Sequence, residues 1–253
     1  MSRPRAMVLA APGTNRDRDV SYALQLAGAE PQITLLEELV ANPESLLRDM
    51  QMLVLAGGFS YADALGAGRM WSLAVTDRLA DVLPRFVALG RPIIGICNGF
   101  QVLTGAGLLP GALGHNASGH FQCEWIRMEA PASHSIWTRD LEPIECPIAH
   151  GEGRYVHPDI ATLEANGQVA LRYSTGTGDG TGNGNGNGNG NGNPNGSVGD
   201  IAGVCDETGL VLGLMPHPEN HVIARQHPRH ARGTAAGSGL GLFQHGVRYA
   251  EGM

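Results

Sequence analysis

The sequence predicts an α/β fold, a mainly parallel sheet flanked by helices with antiparallel additions at one edge. Three observations lead there. Through the first hundred residues short apolar runs alternate with helical patterns, the rhythm of a parallel sheet covered on both faces. Two of those runs stop at glycines, Gly57-Gly58 and Gly95 to Gly99, at the strand ends where such sheets gather ligands. After Gly119 the texture changes to shorter, β-like segments.

Ala6 to Ala10 reads as the first strand, followed by the polar turn Pro12-Gly13-Thr14-Asn15. Arg18 to Ala27 has the pattern of an amphipathic helix, and Gln32 to Leu35 that of a second strand. Met52 to Ala56 is the third strand. Ser72 to Leu89 has the periodicity of one helix, and Pro92 to Ile96 is the fourth strand. Phe121 to Met128, Ile144 to His150, Val169 to Tyr173, Ile201 to Val204 and Leu210 to Met215 are expected as antiparallel additions. Gly239 to Tyr249 closes the chain as a helix. From Gly182 to Asn193 the sequence repeats Gly-Asn, within a wider Gly-rich stretch, 176–199. Without apolar flanks no hairpin there can offset its ordering entropy, so a flexible loop is expected. No linker divides the chain, and residues 1–253 read as a single domain.

Composition narrows the function. A net charge of −7 with pI near 5.8 makes a nucleic-acid backbone an unsuitable partner. All 17 basic residues are Arg, which excludes a Schiff-base lysine and the lysine of a phosphate-binding loop. Cys97, Cys123, Cys146 and Cys205 are widely spaced and form no CxxC pair, so they read as cytoplasmic thiols. The apolar run Ala6 to Ala11 is too short for a signal peptide, and no stretch reaches membrane-spanning length. A cytoplasmic protein without a membrane partner is the expectation.

The chemistry centres on Cys97. An apolar strand running into Gly95-Ile96-Cys97-Asn98-Gly99 and then a helical pattern is a nucleophile elbow with sulfur in place of oxygen. Gly95 and Gly99 leave room for the sharp turn, and a thiol at a helix N-terminus is favoured as thiolate. A lone Cys after a strand would otherwise pack as a small hydrophobe, so a base is required. Gly213-Leu214-Met215-Pro216-His217-Pro218-Glu219 supplies one: His217 at a strand end, with Glu219 two residues on to hold the imidazole. The other readings of His217, Glu219 and His221 are an exposed turn or a metal site. Their alternation does not suit the helical i, i+4 zinc pattern.

Together these motifs resemble the class I glutamine amidotransferases, whose flavodoxin-like glutaminase domains use a Cys–His–Glu triad. Gly95 to Gln101 looks like their nucleophile motif, and Pro216-His217-Pro218-Glu219 like their base motif. Pro12 to Asn15, Gly57-Gly58-Phe59-Ser60-Tyr61, Ile148 to Tyr155 and Asn193-Pro194-Asn195-Gly196-Ser197 are similar to one branch. That branch serves phosphoribosylformylglycinamidine synthase in purine biosynthesis. Family members usually have Gly where Ala62 stands, and Arg where Gly66 and Asn220 stand.

The resemblance implies that Cys97 attacks glutamine, His217 shuttles the proton and Glu219 orients His217. The N–H groups of Gly58 and Asn98 are the implied oxyanion hole. Gln101, Gly57 and Phe59 are the implied substrate contacts. His150, Glu152 and Arg154, by composition a solvated turn, become site rim or partner interface. No cofactor or metal is expected on this chain. ATP and magnesium are expected on a large synthase subunit that binds formylglycinamide ribonucleotide, with a small accessory subunit completing the complex. The competing readings are the glutaminase of another amidotransferase and a non-catalytic binding subunit on a related sheet.

Overall fold

Arg5–Ala10 is buried along nearly its whole length, as a strand covered by helices on both faces must be, and forms β1. The computed structural model describes residues 3–175, 192–233 and 238–253. After β1 come α1 (Asp17–Ala27), β2 (Glu30–Leu35), α2 (Leu36–Ala41), α3 (Pro43–Leu47) and β3 (Met52–Leu55). Then follow α4 (Arg69–Arg78), α5 (Val82–Ala88), β4 (Ile93–Ile96) and α6 (Asn98–Gly105). The second half contains β5 (Ala112–Gly114), β6 (Gln122–Glu129), β7 (Ile144–His150), β8 (Arg154–Val156) and α7 (Ile160–Ala165). It ends with β9 (Val169–Ser174), β10 (Ile201–Cys205), β11 (Val211–Leu214) and α8 (Leu240–Glu251).

Local chemistry explains the element ends. Asp17 and Asp19 sit in the first turn of α1, where the helix dipole favours them, and Gly28 ends it in the left-handed conformation at φ 107°. The single helix expected over Ser72 to Leu89 is two helices. Pro84 has no N–H for the Ala80 carbonyl and its ring collides with that group, so the helix stops at Arg78 and restarts at Val82.

The main sheet has the order β2-β1-β3-β4-β11-β10-β9-β6-β7. The first five strands are parallel, and every pairing from β11 to β7 is antiparallel. One expectation is corrected here. The run Leu210 to Met215 is no edge addition: β11 is parallel to β4, with Leu212 opposite Ile94. All four of its residues are buried, and only a position covered on both faces accommodates that. Prolines mark the two outer strands, Pro31 in β2 and Pro147 in β7, where a missing N–H breaks no ladder.

Flat strands about 4.8 Å apart would leave β7 roughly 19 Å from β11. Yet the Pro147 carbonyl in β7 accepts the His217 N–H, just beyond β11, at 2.8 Å. The antiparallel half therefore curls back over the strand ends, and register shifts between β10 and β9 help it bend. Of the expected flexible loop, 176–191 lies outside the described residues. Residues 192–199 are held in place: Asn195 is fully buried and Asn193 Nδ2 donates to Asp200 Oδ1 at 2.9 Å. All four cysteines are free, and only Cys123 is exposed. Among the described residues no helix is long and apolar enough to cross a membrane.

Candidate active site

The turn from β4 into α6 presents Cys97. Its φ of 51° and ψ of −106° lie outside the ordinary regions for an L-residue, and its N–H is anchored on the Leu214 carbonyl at 2.7 Å. The neighbouring glycines are there for closeness. A Cβ on Gly99 would come within 2.1 Å of the Leu55 carbonyl oxygen, so α6 is seated directly against β3. On the other side, a Cβ on Gly213 would fall 2.0 Å from Phe100 Cδ2, so the same helix lies close on β11.

His217 follows β11, and Glu219 lies in the short turn Pro218–Asn220. His217 Nδ1 donates to Glu219 Oε1 at 2.7 Å, both side chains being buried. With Nδ1 as donor, Nε2 is left free of the carboxylate, and the Cys97 sulfur, which as a thiolate acts on the ring by its charge, in the resting geometry donates as a thiol to the Ala149 carbonyl at 3.9 Å. Burial by itself would lower the His217 pKa, but the Glu219 carboxylate and the Cys97 sulfur outweigh it and raise the ring above its usual 6.5. Gly57 completes the convergence. A Cβ there would lie 2.9 Å from His217 Cε1 and 3.4 Å from Cys97 Cβ. Three segments far apart in sequence thus meet at one sulfur.

Gly58, at φ 146°, presses against Thr14 and Asn15, where a Cβ would stand 2.8 Å and 2.7 Å from backbone atoms. Asn98 is the first residue of α6, so its N–H has no acceptor within the helix. Phe59 is 41% exposed and pairs with Phe121, ring centroids 6.2 Å apart. Gln101 is buried, and each end of its carboxamide already has a partner in the protein, Asn98 Nδ2 at 2.9 Å and the Glu152 carbonyl at 2.6 Å.

The segment His150 to Arg154 divides. His150, expected at the rim, is the buried last residue of β7 and faces His217 electrostatically. Its Nδ1 donates to Asn116 Oδ1 at 3.1 Å, which also takes the Gly153 N–H, and its Nε2 has no partner among the described residues. Burial, then the His217 charge, push its pKa down to about 4. Glu152 is half-buried, and Arg154 is exposed with Nε on the Gly196 carbonyl. Asn116 and Asn195 escaped sequence reasoning as site supports. Asn116 Nδ2 also holds the His150 carbonyl, and Asn195 Nδ2 holds that of Gly153. Only the Asn195 segment carried a signal, through its place in the Asn193 to Ser197 motif. His221 sets its Nδ1 on the Glu145 carbonyl, and no group of three or more His, Cys, Asp and Glu among the described residues could hold a metal ion.

A model of the CobB/CobQ-like glutamine amidotransferase domain matches residues 3–250. The chain belongs to that family. Two relatives, each a phosphoribosylformylglycinamidine synthase subunit PurQ, resemble this amidotransferase over nearly all of both chains. The protein from Treponema denticola is 44% identical, covering 98% of this chain and 99% of its own, and that from Dehalococcoides mccartyi is 39% identical, covering 99% of each. Among solved structures, PurLQS from Thermotoga maritima contains a chain 36% identical to this amidotransferase. It superposes with a TM-score of 0.75 over 98% of this chain and 99% of that one. A second glutamine amidotransferase from Thermotoga maritima shares the fold alone, at 15% identity and a TM-score of 0.54, over 92% of this chain and 83% of that one.

Proposed function

We propose that this amidotransferase is the glutaminase component of phosphoribosylformylglycinamidine synthase, acting as one domain that hydrolyses glutamine and hands ammonia to a synthase subunit. The observation that carries the chemistry is the buried convergence of Cys97 and His217 on Gly57, with His217 Nδ1 held by Glu219 at 2.7 Å. The relatives' names and the PurLQS assembly support the pathway.

In this reading the Cys97 thiolate attacks the side-chain carbonyl carbon of glutamine. The tetrahedral oxyanion is met by the N–H groups of Gly58 and Asn98. Protonated His217 gives its proton to the departing nitrogen, the carbon–nitrogen bond breaks, and ammonia leaves a glutamyl thioester on Cys97. The imidazole then takes a proton from water. The hydroxide attacks the thioester, glutamate is released and the thiolate returns. Glu219 keeps His217 in the tautomer both steps need. Gly57 and Phe59 line the substrate side, and Glu152 and Arg154 lie on the turn that faces the partner.

The partners are a large subunit that holds ATP, magnesium and formylglycinamide ribonucleotide, and a small accessory subunit, in the cytoplasm. Glutamate release from glutamine, with and without the cognate synthase subunit loaded with ATP and formylglycinamide ribonucleotide, tests the proposal. Strong stimulation by the loaded partner is expected. Hydrolysis indifferent to the partner would leave the glutaminase and remove the pathway, and no hydrolysis in either case would remove both.

A further inference from the structure

Three alternate carbonyls along the outer edge of β7 are each taken by a residue at or beside the site. The Cys97 thiol donates to Ala149 at 3.9 Å, the His217 N–H to Pro147 at 2.8 Å, and His221 Nδ1 to Glu145 at 2.6 Å. Pro147 has no N–H to give β6, so it and the residues in phase with it, Glu145 and Ala149, turn their carbonyls outward. Two residues of strand rise about 7 Å. The strand thus sets nucleophile, base and His221 at even intervals.

Glu219 lies between the second and third of these points. The turn Pro218–Asn220 that carries it leaves β7 at His217 and is fastened to it again at His221. Within the turn, the Asn220 N–H goes to the His217 carbonyl and the His221 N–H to that of Pro218. Those bonds shape the turn but do not attach it to the sheet. Asn220 Nδ2 reaches a half-buried carboxylate on α1, that of Asp19, at 3.0 Å. The inner fastening is His221.

His221 is 0% exposed, and the bond to Glu145 is the only hydrogen bond its ring makes among the described residues. A carbonyl can only accept, so Nδ1 carries the proton. The residue that supplies this carbonyl is itself fixed. His227 takes the Arg229 N–H on Nδ1, which leaves Nε2 to donate to Glu145 Oε2 at 3.1 Å. Trp125 and His227 pack on the His221 ring, with centroids 5.4 Å and 5.1 Å away. The His221 carbonyl holds the other side, accepting the Gly239 N–H at 2.6 Å and the Ser238 hydroxyl at 3.0 Å just ahead of α8.

We propose that His221 is a positioning residue, whose Nδ1–H on the Glu145 carbonyl holds the far end of the Pro218–Asn220 turn to β7 and so keeps the Glu219 carboxylate on His217 Nδ1. The proposal rests on His217 being the catalytic base. The His217 N–H alone would leave the turn a single pivot on the strand. A second point on the same strand removes the swing that would carry Glu219 Oε1 away from the imidazole. His221 touches no reacting atom and acts through Glu219.

The test is glutamine hydrolysis by variants of the full chain in complex with the cognate synthase subunit. His221→Leu removes the donor, His221→Asn puts an amide nitrogen close to where Nδ1 stands, and His221→Gln carries that amide one methylene too far. Leu and Gln are expected to lower kcat by roughly 10²-fold with KM for glutamine unchanged, and Asn to restore most of the rate. All three lose the ring that packs on Trp125, so a loss of stability is common to them, and Gln replaces Leu in the comparison if Leu does not fold. In a Glu219→Ala background the same substitution should cost nothing further, because the group it positions has gone. Asn as slow as Gln, a rise in KM at unchanged kcat, or losses that multiply in the Glu219→Ala background would overturn the proposal. A wild-type complex that hydrolyses no glutamine would instead remove the reading of the site on which it rests.

Discussion

His150 is 3% exposed and shares its burial with a second imidazole, that of His217. Burial and that neighbouring charge hold it to about 4, against 6.5 for a free histidine. As pH falls the unfolded chain therefore takes up this proton first. The stability gained by keeping His150 neutral is complete above pH 6.5 and is lost as pH falls towards 4, a total on the order of 3 kcal/mol. His150→Gln should flatten the dependence of urea unfolding free energy on pH across that window; an unchanged slope would refute the assignment. At Glu219 the expectation is kinetic. Glu219→Gln can offer an N–H to His217 Nδ1 and so trap the wrong tautomer, lowering kcat by roughly 10²–10⁴-fold with little change in melting temperature. Burst measurements of thioester formation would check it. Residues of this kind were unequally legible. Cys97, His217 and Glu219 stand in short motifs whose spacing carries chemistry, whereas Asn116 acts across 34 positions on His150 and leaves no local trace.

At the scale of elements, the turn after Phe59 stands out for its run of left-handed residues, Tyr61, Ala62, Asp63 and Leu65. Ala62 is exposed and left-handed at φ 55°, a conformation that favours glycine, so Ala62→Gly should stabilise the protein by about 1 kcal/mol in chemical denaturation. An unchanged or lower midpoint would mean that the turn carries no net strain. The opposite substitution fails at the helix–sheet contact. Gly99→Ala would thrust a methyl group to 2.1 Å from the Leu55 carbonyl, which should cost about 1–3 kcal/mol and displace the thiol. Unfolding free energy and glutaminase rate should fall together. The strands were readable because fully apolar runs such as Met52 to Leu55 suit only covered positions. The break between α4 and α5 was missed because hydrophobic periodicity runs through it, although Pro84 was in plain view. The place of β11 was hidden for another reason: an apolar run of four residues says that it is covered, not which neighbours cover it.

Across the whole molecule, one buried apolar cluster runs from Met7 and Leu53 in the parallel half to Met128 and Ile148 in the antiparallel half. A shared core of this kind predicts a single cooperative transition, with near-ultraviolet and far-ultraviolet circular dichroism melting together. Separate midpoints would show that the antiparallel half unfolds by itself. The position of β11 also governs how the chain comes to be folded. Cys97 leaves the ribosome well over a hundred residues before His217, and the strand that completes its sheet, β11, lies just ahead of that histidine. Until then β4 remains an open hydrogen-bonding edge of four buried-type residues, the kind of surface that recruits other chains. Nascent chains stalled before residue 211 should aggregate or bind chaperones, and those a few dozen residues longer should not. The insertion that delivers the base also closes that edge, so the chain acquires its solubility and its chemistry in the same late event.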